Sequence, residues 1–156
     1  MNAETEKPET TVTRPANHME VEGELSKLFY QKFGDEALAI IEAVFREWGM
    51  ALGETLKAKS PVRGLKAAVE TYVAPAMARE PKPEIVESSD KRFEGKFFTC
   101  PYRLNAAGRP LCEAMIAMDK AMVETLAGEE LDVQLLKTLA APGDECCHAV
   151  IMRKTP

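Results

Sequence analysis

The residue with the clearest potential for chemistry is an aspartate on the apolar side of a predicted helix. Residues 110–127 predict a helix whose large apolar side chains cluster on one side at 100° per residue. Cys112 and Asp119 are seven positions apart, so their directions differ by only about 20° and both fall inside that stripe. An unpaired buried carboxylate costs several kcal/mol. Asp119 is therefore a candidate general acid/base or ligand-binding carboxylate in a cavity; the alternative is a structural carboxylate that caps backbone amides or pairs with an arginine such as Arg103.

A thiol and an imidazole alternate along the last predicted strand, residues 145–153. Cys146 and His148 share one face of this strand, about 7 Å apart, while Cys147 points to the other. A nearby imidazole can activate a thiol as a nucleophile, which makes Cys146 a candidate. The alternative is a core cysteine beside a partly exposed histidine at a sheet edge.

A further thiol, Cys100, precedes Pro101 at the end of a predicted strand. Proline ends a strand ladder, so this thiol stands where the chain turns and where clefts are common, although a structural role is equally open. Cys100, Cys112 and Cys146 could join His148 around zinc or iron. However, 11 residues separate the first two cysteines and no CxxC pair occurs, so we assign no metal ligands.

The part of the chain that precedes these candidate residues is predicted to be helical, and its helices must help to position them. The pattern turns helical from Glu20, and Gly34 is predicted to end the first helix. Asp35 is the predicted N-cap of a longer helix. Gly49 and Gly53 inside this second helix each cost about 1 kcal/mol relative to alanine, which indicates close packing or a ligand. Its predicted core stripe consists of Leu38, Ile41, Phe45, Trp48 and Leu52.

The remaining elements follow a change in hydrophobic period. Pro61 is predicted to open a third helix that runs to about Arg79. The later segments are strands over 85–89 and 92–99, the helix over 110–127, and strands over 131–140 and 145–153. This order predicts an α+β fold, with N-terminal helices plus one later helix packed on a roughly four-stranded antiparallel sheet.

The length and composition of the chain indicate how many domains it forms. The chain has 156 residues, 46% of them apolar, a length that fits one domain. Residues 1–19 are rich in Thr, Pro and Glu and are predicted to form a flexible arm. Residues 20–156 are predicted to form a single α+β domain.

Charge and segment patterns narrow the class of partner. A net charge of −5 argues against nucleic acid or anionic lipid. No apolar run is long enough to span a membrane, and the first residues lack the layout of a signal peptide. We therefore expect a cytoplasmic protein whose four cysteines are thiols or metal ligands rather than disulfides. The expected partner is a small-molecule substrate or ligand. The protein could also form a homo-oligomer.

The sequence resembles the L-2-amino-thiazoline-4-carboxylic acid hydrolase family over roughly residues 22–153. The resemblance is carried by sparse motifs: Phe33-Gly34-Asp35-Glu36-Ala37-Leu38, Gly49, Gly53, Cys100-Pro101-Tyr102, Gly108, Cys112, Asp119 and Gly143-x-x-Cys146. The family usually has an aromatic residue two positions after the last cysteine, where this chain has His148. A more distant resemblance is to vinyl-reductase-like domains, which bind small molecules without necessarily doing chemistry. A weaker, local one is to organomercurial lyases.

The hydrolase resemblance implies opening of a cyclic thiazoline to N-carbamoyl-L-cysteine. It would cast Asp119 as the acid/base and Cys100 or Cys146 as the nucleophile. Arg103 would hold the substrate carboxylate through paired hydrogen bonds. Further substrate contacts would come from Tyr102, Cys112 and His148. The alternatives are a non-catalytic small-molecule-binding or sensor domain and a metal–thiolate protein holding zinc or iron.

Overall fold

The computed structural model describes residues 10–155, which form helices packed on a four-stranded sheet. The elements are α1 (His18–Phe33), α2 (Asp35–Lys59), α3 (Leu65–Met77), β1 (Glu84–Ser88), β2 (Arg92–Phe97), α4 (Arg109–Met115), α5 (Ala117–Ala127), β3 (Leu131–Lys137) and β4 (Cys147–Arg153). This confirms the predicted α+β fold with a later helical segment between two pairs of strands. Within the described part of the chain, no helix is long and apolar enough to cross a membrane.

The sheet has the order β1-β2-β4-β3, and every neighbouring pair is antiparallel. Gly95 of β2 lies opposite Ala149 of β4, which on its other side lies opposite Leu135 of β3. Because side chains alternate along a strand, β2 and β4 each have an inner face toward the helices and an outer face. Phe93 and Ile151, on the inner faces, are buried with α3 and α5 in one core cluster.

The two glycines of α2 mark its contact with α5. A Cβ atom on Gly49 would lie 2.1 Å from the Met118 carbonyl oxygen, and one on Gly53 would lie 2.7 Å from the Thr125 Cβ. Real Cβ atoms do not approach so closely, so only glycine lets the two helices come this near. Close packing therefore explains both glycines, as the sequence indicated.

The core face of α2 differs from the predicted stripe at one position. Ile41 and Phe45 are buried, but Trp48 is 48% exposed and Gly49 takes the inward position. The reason is steric, because the backbone of α5 lies too close to α2 at this level for a large side chain. Ile40 and Val44, on the same side of α2 as Trp48, are also exposed.

Several element boundaries also differ from prediction, among them three in the helices. Gly34, not Asp35, is the residue before α2. The third helix begins at Leu65 rather than at Pro61, because Gly64 adopts φ +83° and its N–H donates to the Ala127 carbonyl. The predicted helix over 110–127 is divided at Ile116, where ψ is −9°, although hydrogen bonds continue on both sides of it.

The segment before α1 lies against that helix. The helix begins at His18, and the Asn17 side chain caps it by accepting from the Glu20 N–H at 3.1 Å. The Thr13 N–H donates to Glu24 at 2.9 Å. Residues 1–9 of the predicted arm lie outside the described residues, and the arm stays a prediction.

Candidate functional site

A cavity of about 400 Å³ lies between the helices and the inner face of the sheet. Its wall is contributed by α3, α4, α5, β4 and the segment between β2 and α4. Most of the lining is apolar, and a volume of this size suits a compact small molecule. The side chains on its wall that can take part in chemistry are Tyr72, Cys100, Tyr102, Cys112, Asp119 and Cys147.

Asp119 lies on the cavity wall in the first turn of α5. The Tyr72 hydroxyl of α3 and the backbone N–H of Asp119 itself lie near its carboxylate, and both act to lower its pKa by stabilising the charged form. Burial outweighs both effects and raises the pKa of Asp119 to about 6. The side chain is partly accessible, but it faces the cavity rather than the outer surface.

Three thiols line the same cavity, from three different segments of the chain: Cys100, Cys112 and Cys147. Burial raises the pKa of Cys100, and it raises that of Cys112 to about 11. Cys112 accepts a hydrogen bond from the Thr138 hydroxyl at 3.1 Å, and Cys147 accepts one from the Leu139 N–H at 3.4 Å. Both cysteines are therefore held by hydrogen bonds at or next to the buried Thr138.

Tyr102 forms part of the wall from the segment that follows β2. Its hydroxyl lies 3.4 Å from the Met118 sulfur, and its ring packs edge-on to Phe45 with centroids 5.9 Å apart. A Cβ on Gly23 of α1 would lie 2.0 Å from the Tyr102 carbonyl oxygen, so α1 also packs directly on this segment. Burial, with the negative charge of Asp119 nearby, raises the pKa of Tyr102.

Three residues singled out from the sequence do not line the cavity. Cys146 is buried but precedes β4, and the alternation of that strand brings Cys147 to the wall instead. His148 lies on the outer face of the sheet, where its Nε2 is 2.7 Å from Glu94. Arg103 pairs with Glu20 of α1 at 3.0 Å and is half exposed. The structure thus brings together Asp119, Cys100, Cys112 and Tyr102 of the predicted set, and their predicted roles remain predictions.

Sequence reasoning missed two residues of this site. Tyr72 falls within the predicted third helix but was not singled out, because nothing local in the sequence connects its hydroxyl with Asp119. Cys147 was placed on the strand face opposite Cys146, and the alternation alone did not say which face meets the helices. A buried carboxylate does require a donor, so a search for a hydroxyl on a facing helix was the available signal.

A second, smaller depression of about 350 Å³ lies over α2, α4, α5 and β3. Its charged residues already have partners: Arg46 pairs with Glu42, Lys120 with Glu124 at 3.9 Å, and Glu113 with Arg109 at 2.7 Å. Because these groups are exposed and have partners, this depression offers little for a ligand to satisfy. The cavity around Asp119 is the better candidate site.

The thiols do not form a recognisable metal centre. Between residues 10 and 155, no three side chains of the His, Cys, Asp and Glu types are grouped closely enough to hold a metal ion. The three cysteines instead occupy different parts of the cavity wall.

No protein-family model and no curated protein matches the sequence, so the hydrolase resemblance gains no support from relatives. Solved structures do share the fold. A trafficking protein particle complex subunit 3 from Naegleria fowleri, covalently bound to palmitic acid, superposes with a TM-score of 0.64 at 15% identity, over 88% of this chain and 96% of that one. The phenol-responsive sensory domain of the transcription activator PoxR, with phenol, gives 0.61 at 14% identity, over 90% of this chain and 76% of that one. The chain is thus similar in fold to these two α+β proteins.

Proposed function

We propose that this protein is a small-molecule-binding domain whose ligand occupies the cavity beside Asp119. The observation that carries the proposal is an apolar cavity of about 400 Å³ with a polar anchor on its wall, the Asp119 carboxylate beside the Tyr72 hydroxyl. Such a combination is typical of ligand sites. It is supported by two proteins of similar fold that were solved with palmitic acid and with phenol.

The state of the thiols favours binding over nucleophilic catalysis. A catalytic cysteine needs a lowered pKa, because the thiolate is the nucleophile. Burial raises the pKa of both Cys100 and Cys112, and the described residues near them provide no cation that offsets this effect. The imidazole expected to activate a thiol, His148, pairs with Glu94 on the other face of the sheet.

Hydrolysis of a cyclic amidine or thiazoline is the second candidate. It is favoured by one observation, the pKa of Asp119 of about 6, because a general base works best with a pKa near the working pH. In that case Asp119 would activate a water molecule directly, without a thiol. Incubation with L-2-amino-thiazoline-4-carboxylate and mass spectrometry for N-carbamoyl-L-cysteine tests it, and product that disappears in Asp119→Asn would favour this candidate over simple binding.

The binding proposal is tested by thermal unfolding in the presence of small aromatic and aliphatic compounds. A ligand at 100 times its Kd should stabilise the fold by about 2.7 kcal/mol, which corresponds to a Tm increase of roughly 5–10 °C. The inward-facing Ala149→Phe should fill part of the cavity and abolish the increase. The matched control Ala43→Phe adds the same side chain at an exposed position of α2 and should keep it.

Two outcomes would count against the proposal. One is an increase in Tm that survives Ala149→Phe, because the ligand would then bind elsewhere. The other is the absence of stabilisation by every compound tested, whether cationic, neutral or anionic.

A further inference from the structure

We propose that the ligand carries a protonated amine on a compact apolar body, with the ammonium group seated against Asp119. This inference rests on the proposed function and specifies its ligand class. It follows from the charges on the cavity wall, from the aromatic rings there and from the cavity's size.

The negative charge of Asp119 is not balanced by a positive charge on the described side chains around it. The titratable groups that interact with Asp119 are the hydroxyls of Tyr72 and Tyr102 and the thiol of Cys112, from α3, α4 and the segment before α4. None of them is a cation, and among residues 10–155 no basic side chain forms an ion pair with Asp119.

Two charged groups lie at the rim, and they do not change this balance. Arg79 and Glu80 are both exposed and opposite in sign, so together they add no net charge to the wall. A buried carboxylate without a counter-ion is costly. An ammonium group on the ligand would supply the missing partner through a charge-assisted hydrogen bond.

Aromatic rings on the same wall add a second attraction for a cation. Tyr72, Tyr102, Phe97 and Phe98 all line the cavity. The face of an aromatic ring carries partial negative charge and attracts ammonium groups, most strongly where water is excluded. A carboxylate among aromatic rings is therefore a better environment for an amine than for a neutral alcohol.

The same features disfavour an anionic ligand. A carboxylate ligand would meet the negative charge of Asp119, and the two groups that stabilise this charge, the Tyr72 hydroxyl and the Asp119 backbone N–H, are already engaged with it. The cavity volume of about 400 Å³ accommodates a single-ring or short-chain amine.

The experiment uses the full-length protein and three compounds of nearly equal size: benzylamine, benzyl alcohol and benzoate. Calorimetric titration at pH 7.5 should give benzylamine at least about tenfold higher affinity than benzyl alcohol, with benzoate weakest; tenfold corresponds to about 1.4 kcal/mol. Lowering the pH to 5 should weaken benzylamine about tenfold, because Asp119, with a pKa of about 6, is then mostly protonated. Benzyl alcohol should change little.

Two matched variants locate the effect. Asp119→Asn keeps the shape of the side chain and removes its charge, so it should weaken benzylamine at least about tenfold and leave benzyl alcohol within about threefold. Asp132→Asn removes the same charge from an exposed position of β3 and should leave both affinities unchanged. If Asp119→Asn does not fold, the wild-type affinity ratio and its pH dependence decide the question by themselves.

The outcomes separate this inference from the proposed function. Equal affinities for benzylamine and benzyl alcohol, or a benzylamine affinity unaffected by Asp119→Asn, would overturn the inference. If neutral compounds or fatty acids bind, Ala149→Phe blocks them and benzylamine does not bind, the inference fails while the binding function stands. If no compound binds, both fail.

Discussion

On the outer face of the sheet, the Glu94 carboxylate contacts His148 and Arg92. On the inner side, the Asp119 carboxylate lies beside the Tyr72 hydroxyl, and within the described part of the chain no cation pairs with it. Hydrogen bonds from His148 and Arg92 lower the pKa of Glu94. Burial raises that of Asp119. The two carboxylates thus lie on opposite sides of the same sheet.

The comparison shows that the role of a carboxylate depends on whether the protein supplies it with a countercharge. Glu94 has its countercharges within the protein, so its ion pair is complete and serves the fold. Among residues 10–155, Asp119 has the Tyr72 hydroxyl beside it but no countercharge, so its charge is left for a ligand, a proton or water. The site that we propose is thus marked by an interaction that this part of the protein leaves incomplete.

The largest expected effect comes from the inner face of β2. Phe93 is 2% exposed and packs in the core cluster against α3 and α5. Phe93→Ala should lower the free energy of unfolding by about 3–5 kcal/mol through lost burial and a cavity. Urea unfolding measures it. The control Val86→Ala, at a side chain that is 49% exposed on the edge strand β1, should change stability little. Equal losses would show that the inner face is not the main core.

The second-largest expected effect comes from the close contact between α2 and α5, the helix that carries Asp119. By helix propensity alone, Gly49→Ala would stabilise α2 by about 1 kcal/mol. Because the new Cβ would lie 2.1 Å from the Met118 carbonyl oxygen, we expect instead a loss of about 2–3 kcal/mol. Denaturant unfolding gives the sign directly. Glu47→Ala, exposed on the same helix, is the control and should be nearly neutral; a stabilised Gly49→Ala would contradict the close contact.

A smaller effect separates the two carboxylates by the sign of their pH dependence. The folded-state pKa of Asp119, about 6, lies above its unfolded value of 3.8, so the folded protein binds this proton more tightly. Its contribution to stability is complete below about pH 4 and is lost as the pH rises through about 6. Asp119→Asn should therefore be more stable than wild type at pH 7.5, by about 1–2 kcal/mol, with the advantage gone at pH 4.

The control for that prediction is Asp132→Asn, which removes an exposed charge and should show no such trend. Thermal melts across pH 4–8 make the measurement. A wild-type protein that stays ahead of Asp119→Asn at pH 7.5 would mean that the carboxylate is already satisfied within the fold.

The smallest expected effect is at Glu94, and its pH dependence has the opposite sign. The pKa of Glu94 is lowered from 4.5 by its partners, so its stabilising contribution is present above about 4.5 and is lost as the pH falls below that. Glu94→Gln should lower Tm slightly at pH 7, less in high salt, and progressively less as the pH falls below 4.5. Glu54→Gln, exposed on α2, is the control. A Tm loss that does not shrink on acidification would argue against the ion pairs as its cause.

The local part of the site was predictable from the sequence, and the long-range part was not. Helical period placed Cys112 and Asp119 on one apolar stripe, and both do line the cavity, even though Ile116 divides the helix between them. The contact between Tyr72 and Asp119 depends on how α3 and α5 pack, which no local pattern encodes. Fold class follows from the order of elements and their periods, which is why it was correct.

Two errors share one physical cause. Trp48 was expected inside because it is large and apolar, and Gly49 takes that position because a neighbouring backbone lies too close for any side chain. Cys146 was preferred to Cys147 because a period of two defines two faces without ranking them. In both cases, which residue faces inward depends on the distant segment that packs against it. The local pattern of a single sequence does not identify that segment.

Four of the residues around the cavity are prolines: Pro75, Pro81, Pro83 and Pro101. Each contributes a ring but no backbone N–H, and each has its φ angle fixed by that ring. These four positions of the wall therefore offer no backbone N–H to the oxygen of a carboxylate or phosphate, and their own φ angles do not adjust to whatever lies beside them.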